Sequence, residues 1–270
     1  MIAICKRRSI VAGFALAVAM SCATSAFSKE ALSFPPTNFA ILNPTTGVAM
    51  GRARYRVEST PDGGILRGEN GYFDGQTDVE TAHIEVAAID GGKPKLTEFD
   101  HTYYNPDKSI LKRAHVDLKS GAATCVDNSA GQKSEQSDVL TIPDDTWAGA
   151  SIVIPIQNFL RAGDKGISRP LHAFSCAPTA KIFSISVDID PGPAVWTTYG
   201  AEAIRVQVTP DFGLLNFVVA AFVPKLHAWF DPNDRLAFIG DEAARYYKGD
   251  PIMLVKRHRG DAEDASRSVK

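Results

Sequence analysis

The sequence predicts a mainly β protein, an antiparallel open or half barrel with one or two short helices. Three observations carry this. Stretches such as RARYRVES, KIFSISVDI and AEAIRVQVT alternate apolar with polar residues, turn residues recur between them, and a single short segment has clear helical spacing. The run from Ala201 to Val255 organises the rest. In AEAIRVQVT, Ile204, Val206 and Val208 alternate with Arg205, Gln207 and Thr209, as on a strand with one buried face. KLHAWFD, a turn at Pro232-Asn233-Asp234, RLAFIG and PIMLVK then read as neighbouring antiparallel strands.

Taken in order, residues 1–28 read as a signal peptide. Lys6-Arg7-Arg8 form a basic start, Ile10 to Met20 an apolar stretch too short for a stable membrane span, and small residues follow through Ser28. Cleavage after Ala26 or Ser28 would deliver the chain to the periplasm, with no transmembrane span in the mature protein. Cys22 lacks the Leu-rich approach of a lipoprotein signal, so no lipid anchor is expected. Residues 29–46, with three prolines, read as an extended lead-in to a single β domain over 47–256, and 257–270 as a disordered charged tail.

Within the domain, Ala53, Tyr55 and Val57 face away from Arg52, Arg54 and Arg56, and Pro61-Asp62-Gly63-Gly64 turns the chain into a hairpin. Val79 to Ile89 fits either a strand or a helix. KLTEFDHTYYN and SILKRAHVDLKSG form a further hairpin around Pro106-Asp107-Lys108. Asn128 to Asp138 reads as a polar surface loop and VLTIPDD as a short strand. Pro155 suits the first turn of a helix over about 156–162, which Gly163 stops and whose Ile156, Phe159 and Leu160 share a face. Arg169 to Cys176 and Lys181 to Asp188 supply two more strands.

Composition excludes some functions. Hydrophobic residues at 44% and charged ones at 22% are ordinary for a soluble globular protein. Lys and Arg number 29 against 31 Asp and Glu, and loss of residues 1–28 removes three basic residues, leaving a chain about five charges negative. Nucleic acid, which calls for a basic face, is not an expected partner. Cys125 and Cys176 remain after cleavage and, in an exported chain, are read as a disulfide.

Chemistry-bearing patterns are sparse. His83-x-Glu85 and His115-x-Asp117, with Asp100-His101 nearby, would supply metal ligands if their strands paired, although such i, i+2 pairs also mark any solvated strand face. There is no H-E-x-x-H, no G-x-S-x-G, no phosphate-cradling glycine loop and no dinucleotide fingerprint. His172 near Ser175 makes no triad without assumed geometry, and Asp144-Asp145 and Asp241-Glu242 sit in turn-like segments. No catalytic residue, cofactor or bound metal is therefore expected. What remains is apolar. Between Pro210 and Pro224, Leu214 to Val223 is interrupted only by Asn216, so its residues either fill a core or line a cavity for an apolar ligand. Phe217, Phe222 and Trp229 are the candidate ligand-binding residues.

The signal peptide, the strand-rich order with one short helix near Ile156 to Arg161, AEAIRVQVT, and LHAWFDPND followed by LAFIG carry a resemblance. Over residues 47–256 the chain resembles a family of exported bacterial β-proteins of unknown function, distantly similar in architecture to the half-barrels of periplasmic lipoprotein carriers. The resemblance implies a curved antiparallel sheet around an apolar cavity that holds an acyl chain, and it transfers no binding residue. The expected function is a soluble periplasmic, non-enzymatic protein that binds an apolar or lipid-like molecule. The alternatives are a cell-envelope structural or assembly partner with an aromatic docking surface, and a metal-assisted enzyme using His83, Glu85, His115 and Asp117.

Overall fold

Alternation along the strands sorts the chain into an inner and an outer face. The computed structural model describes residues 32, 37–86, 92–131, 133–163, 171–176, 179–189, 194–196, 201–211, 226–244 and 252–257. Its strands are β1 (Thr37–Leu42), β2 (Ala49–Thr60), β3 (Gly63–Tyr72), β4 (Thr77–Val86), β5 (Pro94–Tyr104), β6 (Ile110–Asp117), β7 (Ala122–Asp127) and β8 (Ser134–Val139), followed by β9 (Thr146–Trp147). A 3-10 turn (Gly149–Ile152) leads into the helix α1 (Val153–Arg161). The second half holds β10 (Leu171–Cys176), β11 (Ala180–Ile189), β12 (Ala194–Trp196), β13 (Ala201–Asp211), β14 (Leu226–Asp231), β15 (Ala237–Ala244) and β16 (Ile252–Arg257).

These strands form one sheet in the order β8-β7-β6-β5-β4-β3-β2-β1-β16-β15-β14-β13-β11-β10-β9, with β12 paired to β13. The first and last strands are therefore neighbours, and Phe39 to Leu42 run antiparallel to Leu254 to Arg257. Only β9 with β10 is parallel among the described pairings. The hairpins follow local chemistry. Between β6 and β7 the Asp117 carboxylate accepts the Lys119 amide at 2.8 Å, and Gly121 supplies the φ of +78° that the turn needs.

The sheet curls until its two ends meet. Cys125 on β7 and Cys176 on β10, each one strand in from an end of the order, are joined in a disulfide with Cα atoms 5.6 Å apart. Closure at this seam is covalent. One apolar cluster runs through the interior from Phe39 and Leu66 to Phe230 and Val255. Phe99 on β5 meets Phe174 on β10 with ring centres 6.4 Å apart, and Phe39 meets Phe238 across β1 and β15 at 5.6 Å. The helix lies within this interior: Val153, Ile154, Pro155, Ile156 and Gln157 are all buried. Gln157 Nε2 donates to the Leu236 carbonyl at 2.8 Å, tying α1 to the β14–β15 turn, where Arg235 and Leu236 take left-handed φ of 48° and 59°.

Several local expectations change. The lead-in contains β1, because Thr37, Phe39 and Ile41 bury while Asn38 stays exposed, an alternation too short to stand out beside three prolines. The polar stretch before Val139 forms β8, whose six residues are all exposed. It is a strand through backbone pairing to β7 and carries no apolar signal. VLTIPDD holds only the last residue of β8, and strand structure ends at Val139. The ambiguous Val79–Ile89 segment is strand over Thr77–Val86. The helix begins three residues early, at Val153, with Pro155 still in its first turn and Gly163 past its end at φ +75°. Residue 257 closes β16, and the apolar run Leu214–Val223 lies outside the described residues.

Changing both Cys125 and Cys176 to Ser should lower stability by about 4 kcal/mol on the chain-entropy account of a loop of this length. Denaturation midpoints of the wild type with and without reductant, beside the double variant, check this. Reductant should lower the wild type to the variant's level and leave the variant unmoved.

Candidate functional site

The inner face of β2 to β7 is built in rows two residues apart, and polarity falls from one row to the next. Pairing aligns Ala53, Asn70, Asp78, Tyr103, Lys112 and Asp127 in one row. The next holds Tyr55, Gly68, Glu80, His101, Ala114 and Cys125, and the third Val57, Leu66, Ala82, Phe99, Val116 and Ala123. In β4, TDVETAHIEV, the buried parity is Asp78, Glu80, Ala82 and Ile84, while Val79 is turned outward and 40% exposed. Two carboxylates thus occupy positions where alternation alone would place apolar side chains.

Asp78, 1% exposed, is the hub. Tyr72 donates its hydroxyl to Oδ2 at 2.9 Å, Asn70 Nδ2 donates to Oδ1 at 2.8 Å, and His101 Nε2 lies 2.9 Å from Oδ1. A carboxylate only accepts, so the Nε2 proton is fixed on His101. Its Nδ1 is 3.1 Å from the Tyr103 hydroxyl, which donates to it while the imidazole is neutral. Burial alone would lower the His101 pKa. The hydrogen bond and charge of Asp78, with the charges of Glu80 and Asp100, outweigh it and leave it raised.

Glu80 joins this cluster to the helix. Its Oε1 accepts the Ala150 amide at 2.8 Å, at the start of the 3-10 turn. A side chain at Gly149, whose φ is +50°, would place its Cβ within 2.6 Å of the carboxylate, so only glycine fits. Burial pushes the Glu80 carboxyl up to about 7, against the opposing pulls of His101 and of the Ala150 and Ser151 amides. Asp241 on β15 shares the inward parity of Ala228 and Val255. Burial, and then the charge of Glu80, raise it to about 7 as well. Asp241 is half-buried. Tyr55 lies over Gly68, where a Cβ would fall 2.6 Å from the ring. Burial and the charges of Glu80, Asp241 and Asp78 hold its phenol well above its ordinary pKa.

No protein-family model matches the chain, and no curated protein does. Among solved structures the chain is similar to the crystal structure of a β-barrel-like protein of domain of unknown function DUF1849 from Brucella abortus. Identity is 13% and the TM-score 0.43, over 83% of this chain and 96% of that one. A likeness of that strength carries no argument, and the mainly antiparallel β architecture rests on the strand pairing itself.

The residues singled out from the sequence are dispersed. Phe217 and Phe222 lie outside the described residues. Trp229 alternates with the inward Ala228 and Phe230 and packs with Ala203 and Ile239, in a small cluster apart from the main core. It is therefore not an interior lining residue. The proposed metal ligands sit on the outer face: His83 and Glu85 on β4, and His115 and Asp117 on β6, with β5 between them. His115 Nδ1 is 3.5 Å from Asp100, which also pairs with Arg113 at 2.6 Å. Among the described residues no group of three or more His, Cys, Asp or Glu could hold a metal ion. Asp100-His101 is divided by the pleat, one residue facing out and the other in. His172 contacts Asp145 at 2.7 Å, and Asp241-Glu242 splits likewise, Glu242 meeting His227 at 3.3 Å outside. Sequence reasoning missed the Asp78, Glu80, Tyr103 and Tyr55 cluster. Its signal was present, since Ala82 and Ile84 set the parity that carries back to Glu80 and Asp78.

A carboxyl whose pKa is higher folded than unfolded binds extra protons in the folded state between the two values, so stability falls as pH rises through that window. For Glu80 the window runs from 4.5 to about 7, and its full effect is on the order of 3 kcal/mol. Glu80→Gln keeps an acceptor for Ala150. It should flatten the pH dependence of the denaturation midpoint between about pH 5 and 8 and be the more stable protein at the upper end. Parallel pH profiles for the two proteins would expose an error in this assignment.

Proposed function

We propose that this protein is an exported, periplasmic, non-enzymatic binding protein that takes an apolar or lipid-like small molecule into the interior of its curled sheet. The observation that carries the reading is the convergence of ionisable groups inside an otherwise apolar interior. Small-molecule sites are typically apolar with a few converging polar groups of shifted pKa. Glu80, His101 and Asp241 fit that description beside Leu66, Phe99 and Val116. Folding alone gains nothing from burying carboxylates that raise one another's pKa, so a ligand is the simplest reason for keeping them. The N-terminal pattern and the disulfide favour an oxidising compartment outside the cytoplasm.

Native mass spectrometry of protein purified from the periplasm tests both parts. The polypeptide mass should correspond to a start after Ala26 or Ser28, and gentle desolvation should retain an adduct that extracts into organic solvent. A bare polypeptide mass in repeated preparations would remove the ligand-binding reading.

A further inference from the structure

The two edges of the sheet differ. At one end β9 is short, and its Thr146 and Trp147 are 1% and 3% exposed, so protein covers them. At the other end all six residues of β8 are exposed, and among the described residues no strand pairs with its far side. In a single copy of the chain β8 buries no side chain, and the ladder to β7 is what holds it. Its backbone is nonetheless fit for further pairing. Ser134 to Val139 run against β7 without a register shift, and none is proline or glycine.

Ladder alternation fixes which groups point to the bare edge. On the β6 side of β7 the Asn128 amide donates to the Leu111 carbonyl at 2.8 Å, and on the β8 side the Leu140 amide donates to Gly121 at 2.9 Å. In steps of two from these bonds, Thr124 and Val126 bond to β6, whereas Ala123, Cys125 and Asp127 bond to Asp138, Gln136 and Ser134. Glu135, Ser137 and Val139 are left with N–H and C=O groups turned away from β7. Val139 is also 81% exposed.

These groups are self-complementary. An antiparallel pair of β8 strands with a two-fold axis at Ser137 sets Ser137 opposite its own copy and Glu135 opposite Val139 of the second copy. Every outward-turned N–H and C=O of both strands then has a partner. On the other face Gln136 lies across from Asp138 of the second copy, an amide donor against a carboxylate, and no like charges stand directly opposed. An axis at Asp138 would oppose two carboxylates. An axis at Gln136 would set Val139 opposite Lys133, which lies outside the strand. We propose that β8 pairs with β8 of a second copy of this chain, antiparallel and centred on Ser137, so that two sheets continue as one in a two-fold dimer. The shared ladder is short and polar, so the dimer is weak and reversible, half-formed at about 10–100 µM.

Sedimentation velocity of the mature protein from about 1 to 300 µM should show monomer passing to dimer. Ser137→Pro removes an N–H that β7 does not use and should weaken dimerisation about tenfold or more. Single thiols read the register. Across the axis two residues at position 137 have Cα atoms about 5.5 Å apart, so mild oxidation should link copies of Ser137→Cys. Position 135 is four residues out of step with its own copy, about 13 Å away, and Glu135→Cys should not link. Three results each overturn the proposal: a monomer at every concentration, undiminished dimerisation of Ser137→Pro, or a dimer that links no better through Ser137→Cys than through Glu135→Cys. The thiol comparison decides the matter even if Ser137→Pro does not fold.

Discussion

A sheet with two ends must do something with its exposed edges, and here the decisive constraint is the bond between β7 and β10. Hydrogen bonding carries the order from β8 round to β9, with the β1–β16 pair joining the N-terminal meander to the C-terminal strands. Nothing in strand pairing alone obliges the ends to meet. The Cys125–Cys176 disulfide brings them together, and one face of β1 to β7 and of β10, β11 and β13 to β16 turns toward a common interior. This creates a space in which each inward side chain has neighbours from strands remote in sequence, as Phe99 meets Phe174 and Phe39 meets Phe238.

That interior is graded. Along each strand from β3 to β6 the inward positions pass from polar to apolar within a few residues, and α1 crosses the space beside them. Glu80 is where grading and helix meet. Its carboxylate takes an otherwise unpaired amide at the start of the helical segment, and Gly149 is small enough to let it approach. Burial of an ionisable group is unfavourable unless partners compensate, and His101 with the Ala150 and Ser151 amides offset it for Glu80 only in part. The Ala150 and Ser151 amides tie the carboxyl to the helical segment, and burial still holds it well above the usual carboxylate range.

Much of the fold was legible because apolar alternation is a local property. AEAIRVQVT, KIFSISVDI and the strands after Leu226 declared themselves, and Pro155 and Gly163 bracketed the helix to within three residues. Where alternation was short or absent, reading failed for physical reasons. β1 has six residues behind a proline-rich stretch, and β8 has no buried side chain, so it exists only through its ladder with β7. Trp229 shows the converse. Aromatic character suggested an interior role, but the parity set by Ala228 and Phe230 turns it outward.

By itself the sequence determined the β class, the pairing candidates Cys125 and Cys176 and the parity of most strands, because each depends on neighbouring residues or on composition. Tertiary structure alone decided that β1 lies beside β16, that the ends of the sheet meet, and that Asp78, Glu80, His101, Tyr55 and Asp241 share one interior. Those residues are spread from β2 to β15. Only register and curvature bring them together, and neither is written in any single stretch of chain.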